Sequence, residues 1–148
     1  MVNVEALECV CLDTDVLIDY LRKPSGEIKR IMECIFEKTL NARITTVNSF
    51  ELWLGAFLSS KETLPGCTEG FLNRLEIVGF DYDSSVEAGR VSADLKKRGD
   101  PIEIRDLFVA CICKVNNMPL ITRNLKHYKR INGLKILSPE QALKTLNI

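Results

Sequence analysis

Three aspartates stand in an otherwise apolar stretch near the start of the sequence, CLDTDVLIDYL. The pattern is typical of a buried strand that runs directly into a helix. We interpret Asp13 as the end of the strand, Asp15 as the N-cap of the helix and Asp19 as a solvent-facing residue of the helix body. Burying an ionised carboxylate costs free energy unless a partner compensates it. Asp13 has the least structural reason to be acidic, and it is therefore the first candidate for chemistry.

Further polar residues follow the same rule of position, at strand-to-helix junctions or at helix starts. Glu51 lies early in a predicted helix, Asp106 lies in the first turn of another with Glu103 just before it, and Asn124 directly follows a predicted strand. In a parallel sheet these junctions share one edge. Converging carboxylates repel each other unless a cation lies between them, and oxygen ligands suit Mg²⁺ or Mn²⁺. The sequence therefore predicts a metal site.

Each acid also has a purely structural interpretation. Asp106 favours a helix N-terminus through the helix dipole. Glu51 fits a capping box with Asn48, three residues earlier. Glu103 fits an exposed residue that precedes a helix. The residues alone leave both interpretations open, although the shared location of the acids favours a site.

The elements that must position these acids alternate between short apolar strands and amphipathic helices. The predicted strands are 8–13, 42–46, 77–80, 118–122 and 134–137, and the predicted helices begin near Asp15, Gly26, Val47, Glu69, Ser84 or Ser85, Ile104, Leu125 and Pro139. Such alternation predicts an α/β fold with a parallel sheet between helices. No linker or repeat interrupts the sequence, so we expect one domain over residues 1–148.

Composition excludes several classes of protein. The 20 basic and 20 acidic residues give a net charge of zero, unlike a protein that mainly coats nucleic acid. No run of about 18 apolar residues is present, and the acidic first eight residues lead into no signal-peptide pattern, so we expect a cytoplasmic protein without a membrane partner. Six cysteines fall mostly at apolar positions and predict buried, reduced thiols, because their C-x-C spacing does not suit zinc.

Four segments together resemble the PIN domain family, and within it the VapC-type ribonuclease toxins of toxin–antitoxin pairs. They are LDTDVLIDYL, ITTVNSFELWLGA, GDPIEIRDLFVACICKVNNMPLITRN and LKHYKRINGLKIL, and they appear in the family's order. The resemblance implies a three-layer α/β/α sandwich with a mainly parallel sheet of four to five strands. It covers nearly the whole chain, which would then be a single PIN domain over residues 1–148.

The resemblance also implies roles for the acids. Asp13 and Asp106 would bind Mg²⁺ or Mn²⁺ directly, and Glu51 would complete the catalytic set as a third carboxylate. Glu103 is a further candidate ligand. Many PIN domains have a fourth acid in the turn after the fourth strand, and here Asn124 takes that place. An amide adds no charge, so one versus two metal ions stays open.

Supporting roles follow from the same resemblance. Thr14 and Thr122 would position the carboxylates by hydrogen bonding. A basic cluster after the fourth strand offers candidates for binding RNA phosphates, and the alternative is an exposed basic helix face; its members are Arg123, Lys126, Lys129 and Arg130. His127, the single histidine, is expected at the surface or against a phosphate rather than as a catalytic base.

The implied function is a Mg²⁺-dependent endoribonuclease that acts as the toxin of a type II toxin–antitoxin system and leaves 3′-hydroxyl and 5′-phosphate ends. The implied partners are RNA, a cognate antitoxin and a second copy of the chain. Residues 27–40 and 50–58, with Trp53 and Phe57, are candidate interaction surfaces. The alternative is core packing, which is favoured for Trp53. A stand-alone RNA-processing nuclease and a catalytically silent interaction module are the alternatives. A phosphoacceptor receiver domain is disfavoured, because no aspartate ends the third strand and no lysine ends the fifth.

Overall fold

A five-stranded parallel sheet forms the centre of the protein in a computed structural model that describes residues 9–148. The strands are β1 (Val10–Leu12), β2 (Ala42–Thr45), β3 (Glu76–Val78), β4 (Leu120–Ile121) and β5 (Ile136–Leu137). Their order across the sheet is β3-β2-β1-β4-β5, and every neighbouring pair is parallel. The predicted fold class is therefore confirmed, with five strands.

Eight helices lie within residues 9–148, and the first seven make the connections that parallel strands require. They are α1 (Thr14–Arg22), α2 (Gly26–Phe36), α3 (Thr46–Leu58), α4 (Leu64–Leu72), α5 (Tyr82–Lys97), α6 (Ile104–Val115), α7 (Leu125–Tyr128) and α8 (Pro139–Leu146). None of the helices in this range is both long and apolar enough to cross a bilayer.

Two hydrophobic cores lie on opposite faces of the sheet, because successive strand residues point in opposite directions. Val10 and Leu12 pack with α1, α2, α4 and α8, whereas Cys11 packs with α5, α6 and α7. The same alternation divides Leu120 from Ile121 in β4. Helices therefore cover both faces, and the result is the predicted three-layer α/β/α sandwich.

The direction in which successive strands are added to the sheet reverses between β1 and β4. From β1 the chain moves outward through β2 to β3, then returns to β4 on the other side of β1 and ends at β5. Open α/β sheets bind ligands in the crevice beyond the carboxyl ends of the strands at such a point. Asp13 follows β1 and Thr122 follows β4, so both residues lie at this crevice.

Several predicted boundaries differ from the structure, including the start of α4, which lies at Leu64 rather than near Glu69. β3 begins and ends earlier than predicted, because it pairs residue for residue with β2, from Arg43 opposite Glu76 to Thr45 opposite Val78, where β2 ends. Helix α5 begins at Tyr82, since Asp81 rather than either serine accepts the capping hydrogen bond from the backbone of Ser84 at 2.9 Å.

All six cysteines carry free thiols. Four are buried, namely Cys11, Cys34, Cys111 and Cys113, while Cys9 is partly buried and Cys67 is exposed on α4. Burial raises the pKa of the Cys111 thiol to about 11, which makes this thiol a poor nucleophile at neutral pH.

Candidate active site

Asp13 is the most constrained carboxylate at the crevice, with only 7% of its surface exposed. Its Oδ1 accepts a hydrogen bond from the backbone of Thr14 at 2.9 Å, and its Oδ2 accepts one from the Thr122 hydroxyl at 2.8 Å. Burial raises the pKa of the Asp13 carboxyl to about 6, and the negative charge of Asp15 adds to the shift. Asp13 is thus held in one orientation in a setting that disfavours its charge.

The expected roles of the other two N-terminal aspartates need correction. Asp13, not Asp15, is the N-cap of α1, since the helix begins one residue earlier than predicted. The Oδ2 atom of Asp15 accepts a hydrogen bond from the backbone of Arg123 at 3.0 Å, and burial raises the pKa of Asp15. Its Oδ1 is buried without a hydrogen-bond partner in residues 9–148. Asp19 is partly exposed, as predicted, but it pairs with Arg123 at 2.6 Å.

Glu51 is connected to the end of β1 through Thr14. The Thr14 hydroxyl donates to Glu51 Oε1 at 2.8 Å and accepts from the side-chain amide of Asn48 at 2.9 Å. The capping box proposed for Asn48 and Glu51 was wrong, because Asn48 forms that box with Thr45 and leaves Glu51 one turn further along the helix. Burial raises the pKa of Glu51, whose Oε2 lies 3.7 Å from a guanidinium nitrogen of Arg105.

Asp106 lies in the first turn of α6, where Glu103 is the N-cap. Glu103 accepts hydrogen bonds from the backbone of Arg105 at 3.0 Å and of Asp106 at 3.3 Å. Its carboxylate also pairs with the Arg105 side chain at 3.1 Å. The structure therefore gives Glu103 a capping role at the start of α6.

Tyr128 is a residue of the site that the sequence did not reveal. Its side chain is fully buried, and its hydroxyl donates to Asp106 Oδ1 at 3.2 Å. Burial raises the pKa of Tyr128, and the charges of Asp13 and Asp106 add to the shift. The available signal was a single tyrosine within the basic segment LKHYKRI, whose neighbours suggest a surface position. His127 lies beside it, with Nδ1 3.6 Å from Asp106 Oδ2.

The turn after β4 completes the crevice. Thr122 is fully buried, and its Oγ atom accepts a hydrogen bond from the backbone of Asn124 at 3.0 Å while donating to Asp13. Asn124 thus contributes its backbone amide, and its side chain caps no helix. The turn after β4 therefore orients the carboxylate of Asp13, which follows the neighbouring strand β1.

The donor set of this crevice fits a hard divalent cation. Three of its carboxyls, on Asp13, Asp15 and Glu51, have raised pKa values because burial disfavours their charge, and a buried oxygen of Asp15 has no partner among the described residues. Within residues 9–148, no three histidine, cysteine, aspartate or glutamate side chains stand close enough to share one ion. The carboxylates would have to draw together to hold it.

Comparison with known proteins identifies the family. The PIN domain family matches the chain over residues 10–134. This chain is a PIN domain. A VapC1 ribonuclease of Methanocaldococcus jannaschii is 33% identical over 86% of this chain and 85% of its own length. A tRNA(fMet)-specific endonuclease VapC of Salmonella typhimurium is 29% identical over 84% of this chain and 93% of its own.

Solved structures agree with the family. VapBC2 from Rickettsia felis bound to a promoter DNA fragment is similar with a TM-score of 0.80 and 26% identity, over 88% of this chain and 98% of that one. DNA-bound VapBC from Salmonella typhimurium is similar with a TM-score of 0.78 and 25% identity, over 90% and 98%.

The four basic residues that follow β4 in this PIN domain differ in whether an acidic side chain pairs with them. Lys126 and Lys129 are exposed and form no ion pair within residues 9–148, and Arg123 pairs with Asp19. Arg130 instead pairs with Asp100 at 2.6 Å and donates to two backbone carbonyls. Its predicted role in gripping RNA is therefore not supported by its contacts, which hold the α5–α6 loop against α7.

Proposed function

We propose that this PIN domain is a divalent-metal-dependent endoribonuclease that acts as the toxin of a toxin–antitoxin pair. The observation that carries the proposal is Asp13, a buried carboxylate held at the switch point of the sheet by hydrogen bonds to both oxygens. The similarity to VapC ribonucleases supports the same activity. A stand-alone RNA-processing nuclease and a silent PIN module are the alternatives.

The residues of the crevice have distinct tasks in this proposal. Asp13 and Asp106 would hold Mg²⁺ or Mn²⁺, and Glu51 would accept a hydrogen bond from the attacking water. When bound, the cation supplies an activated water and a positive charge for the phosphoryl oxygens. Thr122 and Tyr128 keep the two aspartates oriented toward the crevice. Water is then the nucleophile, and we expect 5′-phosphate and 3′-hydroxyl products.

RNA cleavage assays test the activity. The purified protein is incubated with structured RNA in Mg²⁺, in Mn²⁺ and in excess chelator, and Asp13→Asn and Asp106→Asn are compared with wild type. Asp94→Asn on the exposed face of α5 is the matched control. We expect cleavage by wild type and the control, and none by the two site variants or in chelator. Equal product from wild type and the Asp13 and Asp106 variants would refute the nuclease.

An antitoxin partner is the second part of the proposal. An apolar cavity of about 480 Å³ runs beside Glu51, between α1, α3 and α4. Its apolar lining includes Ile18, Leu21, Leu52 and Leu64. A protein segment seated there would cover the Glu51 carboxylate and exclude RNA. The similarity to VapBC from Rickettsia felis and from Salmonella typhimurium supports such a partner.

Co-expression with the product of a short adjacent gene tests the partner. We expect that product to copurify and to inhibit cleavage. Gly55→Leu fills this cavity, where an added Cβ meets no atom within 4 Å, and should weaken inhibition while the fold is kept. Gly89→Leu on α5 is the control, with the same open space around its Cβ. Full cleavage in the presence of every adjacent product would favour a stand-alone nuclease.

A homodimer is the third part. Helix α3 exposes four large apolar side chains, Phe50, Leu54, Phe57 and Leu58, with Phe57 71% exposed. Trp53 is partly buried, as predicted, and stacks on Phe57 with ring centroids 5.4 Å apart. The other candidate surface is not available, because the apolar residues of α2 belong to the core. Exposed apolar patches of this kind mark interaction sites.

A further inference from the structure

A polar cavity of about 220 Å³ opens beside the acidic crevice, between the end of α1 and the start of α2. It is lined by Asp19, Arg22, Lys23, Ser25, Ile28 and Arg123. The buried side chain of Ile28 is its apolar wall, and the remaining lining residues are polar. No role assigned so far to the crevice or to the apolar cavity uses this space.

The charges around the cavity are unbalanced. Three cations face one carboxylate, Asp19, which already pairs with Arg123. Arg22 and Lys23 are exposed and form no ion pair within residues 9–148. Two positive charges are therefore uncompensated in a small space, and an anionic group entering it would meet both. The Ser25 hydroxyl makes no capping bond to α2 and is available as an additional donor.

Arg123 connects this cavity to the acidic crevice. Its backbone amide donates to Asp15, two residues from Asp13, while its side chain extends to Asp19 one turn further along α1. The Nε atom lies 2.6 Å from Asp19, and neither terminal nitrogen of the guanidinium forms a hydrogen bond in the described part of the chain. A guanidinium fixed at Nε still presents the donors that bind a phosphate.

We propose that the cavity formed by Arg22, Lys23 and Arg123 is a subsite for an RNA backbone phosphate next to the scissile one. This inference rests on the proposed nuclease function. Arg22 follows Asp15 by seven residues, so it lies about 10 Å further along the helix at a rise of about 1.5 Å per residue. That separation suits a neighbouring phosphate rather than the one being cleaved. An RNA strand that passes the five acids of the crevice is repelled by them unless cations lie alongside it. Arg22, Lys23 and Arg123 lie at the edge of the crevice and supply these cations.

Salt-dependent RNA binding tests the subsite. Cleavage is disabled with Asp106→Asn, and a short fluorescent single-stranded RNA is titrated by anisotropy over a series of KCl concentrations. Arg22→Gln combined with Lys23→Gln keeps the side-chain stems and removes both charges. Each lost phosphate contact lowers the magnitude of the slope of log affinity against log salt by about 0.7 for a single strand, so losing the one phosphate of this subsite should lower it by about 0.7. The affinity of the double variant for RNA should also be lower than that of the protein with Arg22 and Lys23 intact.

The matched control is Lys96→Gln with Lys97→Gln, an exposed basic pair on α5 across the sheet, which should change neither slope nor affinity. Unchanged melting temperatures establish that both double variants fold. Wild-type cleavage is measured in parallel. If wild type cleaves RNA but the Arg22 and Lys23 variant binds RNA with an unaltered slope, the subsite is refuted and the nuclease stands.

Two other outcomes also overturn the subsite. If the substitutions weaken binding of a hexaglutamate peptide while RNA binding is unchanged, the cavity receives an acidic protein segment. If no RNA is either bound or cleaved by the wild-type chain under any metal condition, the proposed function and the subsite fail together.

Discussion

Tyr128 shows how one hydroxyl can determine the geometry of an acidic site. Its ring fills the core under α6, and its oxygen meets Asp106 at 3.2 Å. Tyr128→Phe preserves the packing and removes only this hydrogen bond. Residues that orient metal ligands typically contribute 10- to 100-fold in metal affinity, so we expect Mn²⁺ to bind about tenfold more weakly. Calorimetric titration with Mn²⁺ measures this directly.

Tyr82→Phe is the matched control for Tyr128→Phe. Tyr82 is 80% exposed at the start of α5, on a helix that contributes no acid to the crevice. Its Mn²⁺ affinity should equal that of wild type. An equal affinity for the Tyr128 variant would show that packing alone accounts for the buried tyrosine.

Asp13 makes the stability of the metal-free protein depend on pH. Its pKa is about 6 in the folded chain against an ordinary value of 3.8. The folded state therefore binds the proton more tightly, so the contribution of Asp13 is fully present below pH 3.8 and is lost as pH rises through about 6. The loss amounts to about 3 kcal/mol of unfolding free energy.

Denaturant unfolding of metal-stripped protein across this pH range measures the effect. Asp13→Asn cannot ionise, so its unfolding free energy should fall less than that of wild type between pH 3.8 and 6. Added Mn²⁺ should stabilise wild type more at the upper end of the range, because a bound cation favours the ionised carboxyl. Parallel pH profiles for the two proteins would contradict the raised pKa.

At the scale of elements, the N-terminus of α3 is a connection between the sheet and the site. Asn48 is fully buried, accepts hydrogen bonds from Thr45 and donates to the Thr14 hydroxyl, which in turn holds Glu51. Asn48→Ala removes the side chain that completes the capping box with Thr45 and leaves the buried Thr14 hydroxyl without its donor. We expect a loss of about 2–3 kcal/mol in unfolding free energy together with reduced cleavage.

The second capping box of the chain supplies the control for Asn48. Ser138 and Gln141 form it at the start of α8, where both residues contact only that helix terminus. Ser138→Ala should cost about 1 kcal/mol in urea unfolding and leave RNA cleavage at the wild-type rate. Equal effects of both substitutions on cleavage would mean that Asn48 acts through stability alone.

The elements were largely predictable because hydrophobic periodicity is a local property. Strand and helix alternation and the parallel sheet follow from it, and the structure confirms them. The helix caps at Asp13 and Asp81 were not predictable, since neighbouring polar residues compete for the same position within one or two residues. Which polar residue becomes the N-cap depends on where the preceding strand stops pairing with the neighbouring strand.

Contacts across the fold were beyond local reasoning. Arg123 pairs with Asp19, and Tyr128 reaches Asp106, over separations that only the strand order brings together. The resemblance to PIN domains indicated which acids to watch, namely Asp13, Glu51 and Asp106. Their roles in metal binding remain predictions. The partners of Arg130 could not be anticipated, because a basic residue in a basic cluster is interpreted as a ligand-binding residue when its acidic partner, here Asp100, is not known.

For the whole molecule, the exposed face of α3 predicts self-association. Phe57→Lys places a charge at the centre of this apolar surface, and desolvating an unpaired charge in an interface is unfavourable. We expect wild type to sediment as a dimer and the variant as a monomer in analytical ultracentrifugation. Tyr82→Lys, at a comparably exposed aromatic on α5, should leave the dimer intact. A monomeric wild-type chain would reassign the α3 face to another partner.

The native cysteines of this protein can report local opening of the fold, because some are buried and one is exposed. Cys67 should react with a thiol reagent at the rate of an exposed cysteine, whereas a buried cysteine waits for an opening of the fold. Cys34 belongs to the core on one face of the sheet, and Cys11, Cys111 and Cys113 belong to the core on the other. The rates of thiol labelling, measured by mass spectrometry, would therefore show whether the two cores open together or separately. No cysteine has to be engineered for this measurement.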